Sequence, residues 1–303
     1  MKKLTVNTKI INIWHSRKET QTTATFFKRL MCLNKQYRFN ETNNPNFVFS
    51  ICQQRFQFPG NYVRIFFAGE NIKPKMNQCD WAFGFEFEDH MDNHPRYMRI
   101  PNYVRLGGGR NLIKQNVNIE KLINQKTKFC AFVSRNPRMI RSKFFSELSK
   151  YKKVDAPGSL CNNMRKLDLQ PRIKKLNLPN GYARKLEFYK PYKFIIAIEN
   201  ESYPGYTTEK LYHGMLANCI GIYWGNPLIH REFNTKSFIN CHDVKHRSAQ
   251  QQIEYMVERV IELDKDDVLY AEALKQPYLP ENRLTRYMNP TRIIKRFKEI
   301  FKK

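Results

Sequence analysis

Two pairs of polar residues, Glu199-Asn200 and Glu209-Lys210, lie close together in a stretch with the pattern of strand, loop and helix. The lysine would add a full positive charge to the first turn of the helix, where free N–H groups and a partial positive charge already favour anions. The adjacent carboxylate can accept two sugar hydroxyls. These residue types indicate binding of a diphosphate with a ribose attached. The alternative is an ordinary βαβ unit in which Glu209 and Lys210 only lie at the start of a helix.

The elements around these pairs are expected to place them at one edge of a parallel sheet. Residues 194–198 form an uninterrupted apolar run, typical of a strand buried on both faces. Thr207 or Thr208 is expected to cap the helix, and residues 220–223 predict the next strand. Because ligands of open α/β sheets bind beyond the carboxyl ends of the strands, we expect the polar pairs to face a ligand.

A resemblance to a known protein family is carried by four separated blocks. In chain order they are Glu199-Asn200, Tyr206-x-Thr208-Glu209-Lys210, Tyr223-Trp224-Gly225 and Phe233-Asn234-x-Lys236-Ser237-Phe238-Ile239-Asn240. Together they resemble the α-1,3/4-fucosyltransferases of glycosyltransferase family 10, closest to its bacterial members, and the resemblance extends over most of the chain. Ile198 stands where the family usually has Phe, a change that keeps the position apolar.

The resemblance implies both a fold and a reaction. The fold is α/β with GT-B architecture, in which two Rossmann-like domains face each other across a cleft and a C-terminal helix packs back across them. We expect an acceptor-binding domain at 1–117, joined by the helix at 289–303, and a GDP-fucose-binding domain at 118–288. The reaction is inverting, metal-independent transfer of L-fucose from GDP-β-L-fucose to the GlcNAc hydroxyl of a Galβ1-4GlcNAc-type acceptor, giving an α-1,3 linkage and a Lewis x-type product.

The family also implies roles for individual residues. Glu70 follows the predicted strand at 62–67 and matches the proposed general base, although most glutamates in such loops are ordinary turn carboxylates. Glu199 is expected either to stabilise the cationic sugar or to form hydrogen bonds at its strand end. The remaining residues are expected to bind the donor, GDP-fucose: Arg141 and Lys210 at the diphosphate, Glu209 at the ribose, and Asn200 and Tyr206 at phosphate or fucose hydroxyls.

No cofactor beyond the donor substrate is expected. Residues 86–94 mix carboxylates with histidines, but their spacing matches no metal-ligand pattern, and a solvated loop is the favoured interpretation. The acidic run at 264–267 begins a predicted helix, where carboxylates suit the helix dipole, so we do not assign it to a metal. Fixed positive charge around the diphosphate would make a metal dispensable. The seven cysteines are widely spaced and predict free, buried thiols.

The formal net charge of +26 implies anionic partners. The cations cluster at 165–193 and near the C-terminus. No RNA-recognition, zinc-finger or P-loop pattern accompanies them, so we favour general steering and attraction to an anionic membrane over specific nucleic-acid binding. Two alternatives stay open, namely a GT-B transferase for another nucleotide sugar and a non-enzymatic basic protein that binds RNA or lipid.

Location is predicted from the apolar patterning. The N-terminus lacks the apolar core of a signal peptide, and no apolar run approaches the ~20 residues of a membrane helix. We therefore expect a cytoplasmic protein. A peripheral association with the inner face of the cytoplasmic membrane stays open. The apolar stripe of the last helix is expected to pack on the fold, the alternative being an interfacial membrane anchor.

The remaining elements are predicted from periodicity and breakers. In the first half we expect strands at 8–14, 46–51, 62–67, 81–85 and 96–100 and a helix at 22–33. Residues 106–127 are interpreted as a linker and 165–190 as an exposed loop. Asn136-Pro137 is expected to begin a helix that runs to about Lys150.

Overall fold

The computed structural model describes residues 9–15, 37–52, 54–106, 109–115, 117–178, 180–244 and 248–302. By their internal contacts they form two compact units. The first comprises the ranges Met1–Arg110, Pro204–Thr207 and Leu284–Lys303, and the second Asn111–Tyr203 and Thr208–Arg283. Both observed boundaries come earlier in the chain than the expected ones after residues 117 and 288. The short segment Pro204–Thr207 packs with the first unit, although the residues on either side of it belong to the second.

The first unit is built on a parallel sheet whose strand order is β2-β1-β3-β4-β5-β6. Its strands are β1 Lys9–His15, β2 Tyr37–Glu41, β3 Phe47–Ile51, β4 Val63–Phe67, β5 Trp81–Gly84 and β6 Tyr97–Arg99. All the strands predicted in this half are present, within a residue or two at their ends. β2 was missed because it is an edge strand of mainly exposed polar residues. The helix predicted at 22–33 and residue 8 lie outside the described residues.

The second unit contains a parallel sheet with the order β11-β10-β9-β7-β8. Its strands are β7 Lys128–Ala131, β8 Val154–Asp155, β9 Tyr192–Ile198, β10 Ile220–Trp224 and β11 Ile239–Asn240. This is a doubly wound order in which the direction of winding reverses between β7 and β9. Ligands of such sheets bind outside the carboxyl ends of the strands at the reversal. The polar residues after β9 therefore follow a strand at the expected ligand crevice.

Helices cover this second sheet. They are α1 Ile119–Asn124, α2 Met139–Tyr151, α3 Pro171–Lys175, α4 Gly181–Tyr189, α5 Lys210–Leu216, α6 Ala249–Lys265 and α7 Asp267–Lys275. Two interpretations were wrong, because the supposed linker at 106–127 contains α1 and the supposed exposed loop at 165–190 contains α3 and α4. In each case a few inward apolar side chains anchor a helix within a polar, charged run, such as Leu122 in α1 and Phe188 in α4.

Two predicted helix starts also need correction. α2 begins after Arg138, which makes no side-chain capping bond, rather than at Asn136-Pro137. α5 begins after Glu209 rather than at a capping threonine. The hydroxyl of Thr208 does not cap the helix because it donates to Glu199 instead.

The last helix, α8 Pro290–Ile300, packs against the sheet of the first unit. The ring of Phe297 stacks on Phe83 with centroids 4.9 Å apart, and Phe301 makes an edge contact with Phe47 at 5.0 Å. The apolar stripe is therefore covered by protein, which supports the packing interpretation over an interfacial anchor. Within the described ranges, no helix combines the length and the apolar character needed to cross a membrane.

Candidate active site

Glu199 is the centre of a hydrogen-bond cluster at the end of β9. It is completely buried, with 0% exposure. Its Oε1 accepts the backbone N–H of Thr208 at 2.8 Å, and its Oε2 accepts the Thr208 hydroxyl at 2.6 Å and Nζ of Lys210 at 2.8 Å. A Cβ at Gly225 would lie 2.5 Å from Cγ of Glu199, so only glycine fits beside it. This environment matches a hydrogen-bonding group at the strand end rather than a carboxylate that faces a sugar.

Lys210 is held in a fixed direction by this cluster. Its Nζ donates to Glu199 and, at 2.9 Å, to Oγ1 of Thr208, while its side chain keeps 20% exposure. Burial lowers the pKa of Lys210, but the charges of Glu199 and Glu209 outweigh it and leave the pKa raised. An ammonium has three N–H donors. The third has no partner among the described residues, so it is available to a ligand.

Glu209 immediately precedes α5 and is half-buried. Burial raises its pKa, but the positive charges of Lys210 and Lys185 outweigh it and bring the pKa to about 2. The carboxylate is therefore ionised at any physiological pH. An ionised, partly accessible carboxylate is an acceptor for two adjacent hydroxyls, as the ribose role requires.

Lys185 was not predicted as a site residue. It lies on α4, and burial lowers its pKa, with Glu209, Lys210 and Glu199 as charged neighbours. The signal was present in the amphipathic pattern of 181–189. Lys185 lies one helical turn before the buried Tyr189 and therefore on the same, inward face.

Arg141 is buried, with 1% exposure, and binds the end of β9. Its Nε and Nη2 donate to the carbonyl oxygen of Ile198 at 3.0 and 2.7 Å, and Nη2 also donates to Oδ1 of Asn200 at 2.9 Å. Its Nη1 donates to the carbonyl oxygen of Asn136 at 2.9 Å. Arg141 therefore links the loop after β7 to the end of β9, at the reversal of the sheet, and orients Asn200. A direct contact with a diphosphate remains a prediction.

His213 is a second residue that the sequence reasoning missed. It lies one turn after Glu209 on α5, with 3% exposure, and neither ring nitrogen has a partner among the described residues. The ring of Tyr182 makes an edge contact with it at 4.7 Å. Burial, followed by the charge of Lys185, lowers the pKa of His213 to about 3, so the imidazole is neutral.

In the first unit, the structure brings Glu70 and Tyr206 together. Glu70 is exposed in the loop after β4, and Oη of Tyr206 donates to its Oε2 at 3.1 Å. The phenol ring is buried and makes an edge contact with Phe85 at 5.3 Å. Nδ2 of Asn102 donates to the carbonyl oxygen of Gly69 at 2.8 Å and anchors the loop. The other predicted site residues lie in the second unit.

Two domain families match this chain. The N-terminal domain family of α-(1,3)-fucosyltransferase FucT matches residues 9–106, and the C-terminal domain family of glycosyltransferase family 10 (fucosyltransferase) matches residues 123–275. The chain belongs to glycosyltransferase family 10. This confirms the resemblance carried by the four sequence blocks, and the second match contains every predicted site residue except Glu70.

Relatives of this family 10 chain include two named fucosyltransferases. The α-(1,3)-fucosyltransferase FucT of Helicobacter pylori is 31% identical over 230 residues, which are 65% of this chain and 44% of the relative. The α-(1,3)-fucosyltransferase B of Drosophila melanogaster is 37% identical over 118 residues, 38% of this chain and 26% of the relative. The chain thus spans less than half the length of each of these curated relatives.

Solved structures similar to this family 10 chain confirm the fold class. An α1,3-fucosyltransferase structure with GDP-fucose has a TM-score of 0.73 and 26% identity, covering 100% of this chain and 94% of that one. A structure with GDP has a TM-score of 0.75 and 24% identity, covering 100% and 93%. The chain therefore has the α/β, GT-B fold class of these fucosyltransferases.

The acidic stretch at 86–94 has a structural role in this family 10 chain. It is not the solvated loop expected from the sequence, because Glu86 and Glu88 are buried. Glu88 accepts the backbone N–H of Arg99 at 3.1 Å and pairs with Arg292 at 2.5 Å. In the described parts of the chain, no group of three or more His, Cys, Asp and Glu residues is arranged to hold a metal ion.

Proposed function

We propose that this chain transfers L-fucose from GDP-β-L-fucose to the GlcNAc hydroxyl of a Galβ1-4GlcNAc-type acceptor, with inversion and an α-1,3 linkage. The observation that carries the proposal is the Lys210–Glu199–Thr208 cluster beside ionised Glu209, at the carboxyl end of β9. It lies in the range matched by the family 10 C-terminal domain. The similar structure that contains GDP-fucose supports the choice of donor.

The second unit supplies the donor site in this proposal. As the bond to fucose breaks, the departing GDP gains negative charge that fixed cations must neutralise. Lys210 does so with its remaining N–H, and Arg141 adds a positive charge behind Asn200. Glu209 accepts the two ribose hydroxyls, and Asn200 contacts phosphate or fucose hydroxyls. Tyr206, although its segment packs with the first unit, is predicted to contact the same groups. Glu199 acts by fixing the orientation of the Lys210 side chain.

The first unit supplies the acceptor site and the base. Glu70 takes the proton of the GlcNAc hydroxyl while that oxygen attacks the anomeric carbon of fucose. Attack on the face opposite the leaving GDP inverts the β-linked donor to an α-linked product. Tyr206 donates to Oε2 of Glu70 and leaves Oε1 to receive the acceptor proton. Because the transition state has oxocarbenium character, a carboxylate beside the fucose also lowers its energy.

Fixed cations in the donor site make a divalent metal unnecessary in this proposal. Lys210, Arg141 and Lys185 bring three side-chain charges to the region around Glu199 and Glu209, as their mutual effects on pKa indicate. These charges would take the place that a metal ion holds at the diphosphate of other sugar transferases. Full turnover in excess chelator is the expected result.

A peripheral contact with an anionic membrane, from the cytoplasmic side, completes the proposal. The net charge of +26 supports it, as do exposed lysines such as Lys295 and Lys302. Since the apolar stripe of α8 is covered by the first sheet, the contact would be electrostatic. It should therefore weaken steeply as salt is raised.

The proposal is tested by turnover with a panel of donors in excess EDTA. GDP-fucose and N-acetyllactosamine should give a fucosylated product, whereas UDP-galactose and GDP-mannose should not. GDP should raise the melting temperature more than UDP or ADP does. Transfer from a different nucleotide sugar would show another GT-B activity. No transfer, with equal stabilisation by all polyanions including RNA, would favour a basic binding protein.

A further inference from the structure

We infer that Arg99 is a positioning residue for the Glu70 base, acting through Gly205 and Tyr206. The inference rests on the proposed function, because it assigns a role to Arg99 only if Glu70 is the base. A hydrogen bond joins Arg99 to the carbonyl oxygen of Gly205. Its effect on the reaction is therefore expected to be transmitted through the segment Pro204–Thr207.

The guanidinium of Arg99 is buried and bridges two backbone segments. Its exposure is 0%, its Nε donates to the carbonyl oxygen of Phe85 at 2.7 Å, and its Nη2 donates to the carbonyl oxygen of Gly205 at 2.9 Å. A buried charge is costly, and these two hydrogen bonds offset part of that cost. The rigid, planar fork of a guanidinium presents Nε and Nη2 to the two carbonyl groups in fixed directions, a geometry that the single nitrogen of lysine does not reproduce.

Two aromatic rings hold the guanidinium in its plane. The central carbon of Arg99 lies 4.4 Å from the ring centre of Phe87 and 4.6 Å from that of Tyr287. Arginine stacks readily between such faces. The chain just before α8 thus contributes Tyr287 to the same arrangement. Three segments of the first unit, namely the loop after β5, Pro204–Thr207 and the chain before α8, converge on one side chain, so its direction is strongly determined.

Gly205 shows how closely the segment is pressed onto the loop after β5. Its φ is +87°, and a Cβ there would lie 2.4 Å from the carbonyl oxygen of Phe85. The close approach that Arg99 bridges is therefore possible only for glycine. The next residue, Tyr206, packs its ring on Phe85 and reaches Oε2 of Glu70. A shift of Gly205 would move the phenol that holds the carboxylate.

Arg99 could instead serve only to stabilise the fold, and the experiment separates the two roles. The variants are Arg99→Lys, Tyr206→Phe and the double variant, with Arg64→Lys as matched control. Arg64 is an arginine in the same sheet that pairs with Asp80 at the surface. The measurements are kcat, KM for the acceptor, GDP affinity and melting temperature. Wild-type activity with GDP-fucose is established first, because its absence would overturn the proposed function rather than this inference.

We expect Arg99→Lys to lower kcat by about 10²-fold, because small displacements of a catalytic group have effects of that size. GDP affinity should stay within about twofold of wild type, and Arg64→Lys should change kcat by less than about twofold. In the Tyr206→Phe background, Arg99→Lys should lower kcat by less than about a further threefold, because both changes affect Glu70 through the same contact of Tyr206.

The inference would be overturned if the losses of kcat in Arg99→Lys and Tyr206→Phe multiplied in the double variant. A normal kcat in Arg99→Lys, or an equal loss of kcat in Arg64→Lys, would also overturn it. If Arg99→Lys does not fold, Tyr287→Leu replaces it in the same cycle. That change removes one aromatic face and keeps both hydrogen bonds. It should lower kcat several-fold, again with little further loss in the Tyr206→Phe background, and a multiplicative loss there would equally contradict the inference.

Discussion

The phenol oxygen of Tyr206 lies 3.1 Å from Oε2 of Glu70. Two residues later, Thr208 donates its backbone N–H and its hydroxyl to Glu199, which in turn holds Lys210. Residues 206 and 208 of one short loop therefore contact Glu70, the proposed base, and Glu199, respectively. Glu199 is the carboxylate that holds Lys210, the cation proposed to bind the diphosphate. This relationship explains why a loop of mostly small and aromatic residues matters to the predicted chemistry.

Replacing Glu70 by glutamine tests the base. Glu70→Gln keeps the size and most hydrogen bonding but cannot accept the proton, so kcat should fall by about 10²- to 10⁴-fold. GDP affinity, measured by calorimetry, should not change. Glu41→Gln, at another exposed carboxylate of the first unit, is the control and should turn over normally. Near-normal turnover of Glu70→Gln would rule Glu70 out as base.

Replacing Lys210 by methionine tests the phosphate contact. A charge-assisted hydrogen bond contributes about 1.5–3 kcal/mol, so GDP affinity should fall by about 10- to 100-fold. The free energy of unfolding should also fall, because the buried carboxylate of Glu199 loses its cation. Lys150→Met removes an exposed lysine of α2 and should change neither quantity. Unchanged GDP affinity in Lys210→Met would remove the proposed phosphate site.

Gly205→Ala tests the close approach to Phe85, with Gly60→Ala as a matched control. Both glycines have positive φ, +87° and +91°, but a Cβ at Gly60 meets nothing within 4 Å. Gly60→Ala should cost about 1 kcal/mol of unfolding free energy from its backbone conformation alone. Gly205→Ala should cost more and should also lower kcat. Equal losses of stability and normal kcat in both variants would refute the role of this approach.

His213 predicts a specific acid dependence of stability. Its folded pKa of about 3 lies below the ordinary 6.5, so the unfolded chain takes up the proton first. The contribution of neutral His213 to the free energy of unfolding is complete above pH 6.5. It is lost as pH falls towards 3, by up to about 1.4 kcal/mol per pH unit. Denaturant unfolding of His213→Phe should lack this slope between pH 6.5 and 5, where carboxylates contribute little. Parallel curves for the two proteins would contradict the prediction.

The polar residues after β9 and the elements around them could be predicted because their signals are local. The apolar run before Glu199, the adjacent glutamate and lysine, and the next apolar strand follow directly from residue order. The position of Glu70 after β4 could be predicted for the same reason. These features depend on periodicity and on residue type within about ten positions, which a sequence displays directly.

The partners of these residues could not be predicted because they come from distant parts of the chain. The phosphate contact of Arg141 stays a prediction, but its hydrogen bond to the carbonyl oxygen of Ile198 could not be predicted, because that bond depends on β7 lying beside β9. Arg99 and Gly205 are more than a hundred residues apart. The charged run that contains Lys185 was interpreted as a loop, because its inward apolar residues are few and its cations dominate the pattern.

The most direct test of the proposed reaction is the structure of its product. Wild-type protein, GDP-β-L-fucose and N-acetyllactosamine are incubated in excess EDTA, and the product linkage and anomeric configuration are determined by nuclear magnetic resonance. A type 1 chain, Galβ1-3GlcNAc, serves as the parallel acceptor. The proposal predicts an α-linked fucose on O3 of GlcNAc from the type 2 acceptor. A β-linked fucose, a fucose on another hydroxyl, or no product would contradict it.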